Sequence, residues 1–196
     1  MPPTSPEHAS ARPPHPLAVE LIAVLGAGGA RVIDFASGSG RNARALRAAG
    51  FEVAEIGDAD ASARAIECIA GTFAAALSTH GLLHGTDEVI GAAVEAIAGK
   101  LEPGGRLFAT FGSVRDARFA QGLQIQPFVY APADGDERGI PHAFFDESRL
   151  RALLEERFDL ESVEERNADE IAGDWAHREK PLRSSAHWFV QARKRD

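Results

Sequence analysis

Cysteine is nearly absent: Cys68 is the only one in 196 residues. That excludes an internal disulfide and any cysteine-built zinc cluster, and it fits a reducing, cytoplasmic setting. Cys68 itself reads as a small core residue. Basic charge is also short. With 21 Lys and Arg against 29 Asp and Glu, the formal net charge is −8, so the chain offers no basic face to a nucleic acid or an anionic membrane. A membrane-length apolar run is missing too. The stretch LAVELIAVLGAGGA is interrupted by Glu20, is too short to span a bilayer and leads into a strand instead of a cleavage site. These absences leave one domain that works on small molecules.

What is present is alternation. The first sixteen residues hold six of the eleven prolines and little that is apolar, which predicts a disordered tail over 1–16 ahead of a single domain over 17–196. Leu17 to Leu25 reads as a short helix. Strand-like RVIDF, helical RNARALRAAG and strand-like FEVAEI follow, then a helix over Ser62 to Ile69 and the buried run FAAALST. Thr86 or Asp87 caps a helix that presents Val89, Ile90, Ala93, Val94, Ile97 and Leu101 on one side and closes at the turn PGG, 103–105. RLFATFGS is the next strand. Beyond a polar segment, Asp146 caps the helix ESRLRALLEERF, and FDLESVEE and HWFVQAR are the last two strands. Strands alternating with helices imply right-handed crossovers and an α/β fold of three layers, its mainly parallel sheet covered on both faces.

In such sheets ligands bind at the carboxyl ends of the strands. The first strand ends VIDFASGSG, a buried acid followed by five small residues, Ala36 to Gly40. Those residues let a ligand approach the backbone, and the helix from Arg41 presents unpaired N–H groups. Gly38-Ser39-Gly40-Arg41-Asn42-Ala43 also satisfies the dinucleotide pattern G-x-G-x-x-A. Asp34 decides between ligands: a buried carboxylate repels a pyrophosphate and attracts a ligand carrying a sulfonium and an ammonium group. That favours S-adenosylmethionine. FAAALST ends in Ser78, Thr79 and His80, with His84 four residues on. If a helical turn begins there, His80 and His84 share one side and could serve as a base or as two zinc ligands. No third ligand is anchored nearby by sequence, so no metal is expected. Loops after later strands carry Arg115, Asp116, Arg118 and His142 as candidates to select the acceptor, and DGDERG (134–139) reads as a lid or a solvated turn.

The stretch Asp34-Phe35-Ala36-Ser37-Gly38-Ser39-Gly40 resembles the first motif, acid-x-Gly-x-Gly-x-Gly, of the class I S-adenosylmethionine-dependent methyltransferases. GRNARALRAAGFEV is similar to the tellurite-resistance-type, small-molecule branch of that family. LEPGGRLFATFGS resembles its fifth strand and HWFVQAR its antiparallel last strand. The resemblance implies a Rossmann-like sheet and in-line methyl transfer. It implies a cofactor site at Asp34, Ala36, Ser37, Gly38, Gly40, Asn42, Asp58, Ser78 and Thr79, and it puts His80 and His84 beside the transferred methyl group; His142 and Arg115, from the overhanging loops, complete the expected reaction centre. Two departures stand out. Ala36 occupies the first glycine slot, which is tolerable if its φ is negative. The family's ribose-binding acid falls on Gly57, which makes Asp58 the substitute, and Gly57 to Thr72 leaves no room for the third, edge strand.

The expected partner is a small-molecule methyl acceptor. Trp188 reads as a core residue, and packing is the first reading of Trp175 too; Trp175 lies in the insertion NADEIAGDWAHREKPLRSS, where contact with substrate or a second subunit of a homodimer is the alternative. Two other readings stand beside the enzyme. One is a nicotinamide-dependent oxidoreductase, whose short-chain form needs a Tyr-x-x-x-Lys pair; the only tyrosine, Tyr130, is followed four positions later by Asp134. The other is a non-catalytic binding or assembly module on the same fold.

Overall fold

The computed structural model describes residues 13–26, 28–167 and 185–195. Helix α1 (Pro16–Leu25) precedes β1 (Arg31–Phe35), and α2 (Arg41–Ala48) joins it to β2 (Glu52–Ile56). A 3-10 turn over Asp58–Asp60 and the short α3 (Ala63–Cys68) lead to β3 (Phe73–Ser78). Next come α4 (Asp87–Lys100), β4 (Leu101–Ser113), β5 (Leu123–Gln126), β6 (Val129–Ala131) and β7 (His142–Phe145). The chain finishes with α5 (Glu147–Leu154), β8 (Phe158–Asn167) and β9 (Ala186–Lys194). Among the described residues no helix is long and apolar enough to cross a membrane.

Strands β2, β1, β3 and β4 lie side by side in parallel, and antiparallel β9 continues the sheet from β4 to β8. β2 is an edge: the segment between it and β3 forms only the 3-10 turn and α3, so the family's third strand is missing there as expected. Period-two alternation assigns the two faces. Val32, Leu77, Phe108 and Phe189 pack against Leu17 and Leu21 of α1 and Leu46 of α2. Ile33, Ala76, Leu107 and Val190 face Ile66 of α3, Ile90, Val94 and Ile97 of α4, and Leu150 and Leu154 of α5. Each such large side chain taken fully from water contributes about 1.5–3 kcal/mol. Trp188 is buried, its indole N–H donating to Phe145 O at 2.7 Å.

Several local expectations are corrected. Residues 13–16 are not a disordered tail: His15 is buried, its ring stacks on Phe189 at 5.3 Å, and its Nδ1 accepts from Leu17 N at 3.2 Å to cap α1. Residues 1–12 lie outside the described residues. Cys68 is exposed at the end of α3 rather than in the core. Thr86 holds the N-cap position of α4 without a side-chain cap bond, whereas Asp146 accepts from Arg149 N at 2.8 Å and caps α5. The PGG turn is an excursion within β4, since Leu101 pairs with Phe73 and pairing resumes at Arg106 with Ala75. The segment read as polar loop between β4 and α5 carries β5, β6 and β7. β7 runs parallel to the end of β4, so that Gly112 pairs with Phe144 on one side and His187 on the other. The insertion with Asp174, Trp175 and His177 lies outside the described residues.

Candidate active site

The loop after β1 is wound as tightly as its composition allows. Ala36, Gly38 and Gly40 take φ of +57°, +55° and +69°. The condition set for Ala36, a negative φ, therefore fails: alanine occupies a left-handed conformation that costs an L residue roughly 1–2 kcal/mol. Local bonds hold it there. Ser37 N donates to Ile56 O at 2.9 Å and Gly40 N to Ser37 O at 2.9 Å, while Gly38 N donates to Asp58 Oδ1 at 3.1 Å. Asp58 thus stands against the loop. Asn42, in the first turn of α2, donates from Nδ2 to Thr79 Oγ1 at 2.9 Å and accepts from His15 N at 2.9 Å, tying together β3, the loop and the start of the described chain.

Asp34 lies behind this loop, one hundredth exposed, and neither carboxylate oxygen completes a hydrogen bond. Burial, and then the neighbouring Glu55 carboxylate, raise its pKa from 3.8 to about 7, against the opposing pull of the Ala43 N–H and the Arg47 guanidinium. A buried carboxyl in that condition is stabilised by any positive charge brought near it. It does not line the cleft itself.

The cleft has two lobes that share Ala36, Asp58, Gly81 and His84. The larger, about 700 Å³ and open to solvent, is polar: Ser37, Gly38, Ser39, Arg41, Asn42, Thr79 and His80 line it. The smaller, about 490 Å³, is apolar and bounded by Phe35, Ala61, Leu82, Ile90 and Ala93. Its wall comes from α4 and the chain leading into α3, so the side left open by the missing strand is closed by helices. Ser78, buried at the end of β3, sits beneath the cleft and not in its lining.

Five of the seven histidines gather here, in two groups. His80 does not share a side with His84. It adopts φ +67°, donates its backbone N–H to Thr110 Oγ1 at 2.8 Å, and packs its ring edge-on to His15 (5.7 Å) and His187 (5.0 Å). Burial first, then His187 and His15, push its pKa well below the ordinary imidazole value, so the ring is neutral at physiological pH. Burial likewise takes His15 down to about 3. The turn after His80 sends His84 the other way, onto His142, with ring centres 4.7 Å apart. Glu137 joins these two: its carboxylate lies 3.1 Å from His84 Nε2 and 2.9 Å from His142 Nε2. Burial pushes the Glu137 carboxyl up, but hydrogen bonds from His142 and His84 override it and hold the group well below the usual carboxylate range.

His142 is a buried strand residue of β7, not a loop residue. DGDERG is a turn exposed at every position except Glu137, which packs into the site. Arg115 is placed elsewhere. Its side chain is three-quarters exposed, pairs with Glu165 at 2.8 Å and lines neither lobe. Asp116 pairs with Arg118, not Arg115. Arg41, Glu137, His15 and His187 were not singled out from the sequence. Only Arg41 carried a signal, as the first residue after the small-residue loop.

No family model matches the chain, and no curated protein matches it in sequence. Solved structures match it along nearly its whole length. An S-adenosylmethionine-dependent methyltransferase from Methanosarcina mazei aligns over 94% of this chain and 99% of its own, with TM-score 0.70 and 16% identity. The 1,6-didemethyltoxoflavin-N1-methyltransferase of Burkholderia thailandensis, solved with 1,6-didemethyltoxoflavin and S-adenosylhomocysteine, aligns over 97% and 80%, with TM-score 0.65 and 20% identity. TehB from Haemophilus influenzae aligns over 92% and 62%, with TM-score 0.63 and 14% identity. The chain has the fold of the class I S-adenosylmethionine-dependent methyltransferases. On that methyltransferase fold, β8 and β9 are the final antiparallel pair, and the cleft lies over the carboxyl ends of β1 and β3.

Proposed function

We propose that the chain is an S-adenosylmethionine-dependent methyltransferase for a small-molecule acceptor. The observation that carries this is the two-lobed cleft beside a buried Asp34 that no cation pairs within salt-bridge distance among the described residues. The residues suit the cofactor part by part. Arg41 suits its carboxylate, and the negative charge of Asp34 behind the loop suits its ammonium and sulfonium. Asp58, shared by both lobes, suits the ribose hydroxyls. The apolar lobe between Phe35, Leu82 and Ile90 suits adenine.

The cofactor supplies a methyl group already activated by its sulfonium, so alignment and exclusion of water are what remain for the protein. Neutral His80 walls the polar lobe without adding a competing positive charge. His84, in the wall of both lobes and backed by Glu137 and His142, stands at the acceptor end. Where the acceptor is an alcohol, phenol or thiol, its proton leaves toward this cluster as its oxygen or sulfur forms the new bond to carbon. Arg115 has no part in this reading.

Thermal melts test it. S-adenosylmethionine or S-adenosylhomocysteine at ~100 times its dissociation constant adds about 2.7 kcal/mol, which is about 5–10 °C for a domain of this size. A nicotinamide dinucleotide leaves the melt unchanged. A shift with the dinucleotide alone, or with none of the three, contradicts the proposal; the second result favours the non-catalytic reading.

A further inference from the structure

The cluster that backs His84 is more than a base and its support. His84, Glu137 and His142 come from the turn after β3, the loop ahead of β7 and β7 itself. One donor atom from each lies within 4.8 Å of the others. The backbone holds the three segments in place: His84 and His142 form an antiparallel β-bridge, and Gly85 N donates to Pro141 O at 2.7 Å. Ile140 N donates to Glu137 O at 3.0 Å.

The hydrogen bonds define what the cluster can bind. His142 Nδ1 lies 2.8 Å from Ile140 O, a carbonyl that can only accept, so that nitrogen carries the proton. Its Nε2 therefore points a lone pair at Glu137 Oε2, 2.9 Å away, unless a second proton sits there. At 2.9 Å that contact is a hydrogen bond with a proton in it, and a metal ion that takes the same Nε2 and carboxylate displaces that proton. We infer that His84, Glu137 and His142 form a binding site for a divalent transition-metal ion, at the acceptor end of the cleft.

The donor set fits such an ion. Two imidazoles and one carboxylate are a catalytic zinc set that leaves a position open. An imidazole held through its other nitrogen by a backbone carbonyl is the usual support of a metal-bound histidine. Tetrahedral ligands about 2.1 Å from zinc stand about 3.4 Å apart; His84 Nε2 lies 3.1 Å from Glu137 Oε1, His142 Nε2 2.9 Å from Oε2, and one donor atom of each residue lies within 4.8 Å of the others, so small side-chain adjustments bring the three to that spacing. Glu137 and His142 are largely buried while His84 reaches the cleft, which places the open position toward the acceptor. Arg118 Nη1 lies 3.4 Å from Glu137 Oε2, and its Nε is held on Asp116 at 3.1 Å. Its charge opposes any cation alike, and it is the two imidazole donors that select ions such as Zn2+ and Co2+ over Mg2+ and Ca2+. The ion would bind and acidify an acceptor oxygen, the task otherwise left to His84 as a base.

The existence of this site does not depend on the methyltransferase reading. Co2+ is titrated into the chelator-treated full chain, its visible d–d absorption recorded, and Zn2+ measured by competition. The inference predicts one Co2+ per chain, displaced by Zn2+ and not by Mg2+ or Ca2+. His142 is buried on β7, so the variants are Glu137→Gln and His84→Gln, whose folding is checked by circular dichroism. Each weakens binding by more than the roughly 10–100-fold that loss of a supporting group brings. No cobalt band at millimolar ion, or a band unchanged in both variants and so due to other histidines, overturns the inference. Calorimetry with S-adenosylhomocysteine on the same samples separates the two claims. Cofactor binding without cobalt binding sinks the metal site alone, and cobalt binding without cofactor binding sinks the methyltransferase reading alone.

Discussion

A β-carbon placed on Gly81 would come within 2.5 Å of the methyl group of Ala36. The two residues lie on different loops, after β1 and after β3, and both line the two lobes of the cleft. The methyl group that the first motif gained at Ala36 fills the space above Gly81, so the pair carries one β-carbon where two cannot fit.

Gly81→Ala is expected to destabilise the protein by about 1–3 kcal/mol through overpacking. Ala36→Gly alone is expected to change stability by less than about 1 kcal/mol, because relief of the left-handed strain offsets the added freedom of the unfolded chain. Combining them recovers part of the loss and no more, since Ser78 Oγ at 2.7 Å and Phe35 O at 3.3 Å still crowd the new carbon. Urea melts of the four proteins form the double-mutant cycle, and strict additivity contradicts the contact.

Asp34 makes stability and cofactor binding depend on pH in opposite directions. Its folded pKa is raised to about 7 from 3.8, so between those values the native state holds more protons than the unfolded one and stability falls as pH rises. The penalty is complete above about pH 7 and worth up to about 4 kcal/mol. Asp34→Asn is therefore expected to melt higher than the parent at pH 8 and close to it at pH 4. A cationic ligand favours the ionised carboxyl, so S-adenosylmethionine affinity in the parent should rise from pH 6 to pH 8, and that rise should flatten in Asp34→Asn. Equal pH slopes in the two proteins contradict the assignment.

Asp116 behaves oppositely. Burial raises its pKa, but the His187 ring, Arg118 and the Ser185 hydroxyl override this and hold the carboxyl well below the usual range. Arg118 N (2.8 Å) and Nε (3.1 Å) donate to Oδ1, while Ser185 Oγ (2.7 Å) and Ala186 N (3.0 Å) donate to Oδ2. Its contribution is present above about pH 4 and is lost as pH falls further. Asp116→Ala leaves the half-buried Arg118 only its 3.4 Å contact with Glu137 and takes the acceptor from Ser185 Oγ and Ala186 N, and it is expected to cost about 1–3 kcal/mol at pH 7. In denaturant melts that gap should narrow steadily below pH 4; a constant gap contradicts the pairing.

The sheet was legible because apolar residues alternate cleanly. Val32 and Ile33, or Ala76 and Leu77, point to opposite faces, and each parallel strand is bounded by a turn. The polar lobe of the cleft was legible because most of its lining is contiguous, from Ala36 to Asn42. The acceptor side was not. β5 to β7 are short, and β5 is exposed on most positions, so neither apolar period nor length marks them. Glu137 looked like one acid in a polar run, and only the tertiary bridge between His84 and His142 brings it to the site. The shared side of His80 and His84 failed because a 3-10 turn begins at Gly81, after His80 has taken a left-handed backbone. The ordered His15 was hidden by its prolines, which are compatible with a capped helix start as well as with a tail.

A crystal structure with S-adenosylhomocysteine bears most directly on the central claim. The account predicts adenine between Phe35, Leu82 and Ile90, the ribose hydroxyls on Asp58, and the amino-acid end beside Arg41 with its ammonium over the loop that covers Asp34. A ligand lying outside the two lobes, or a cleft that stays empty at saturating concentration, would contradict it.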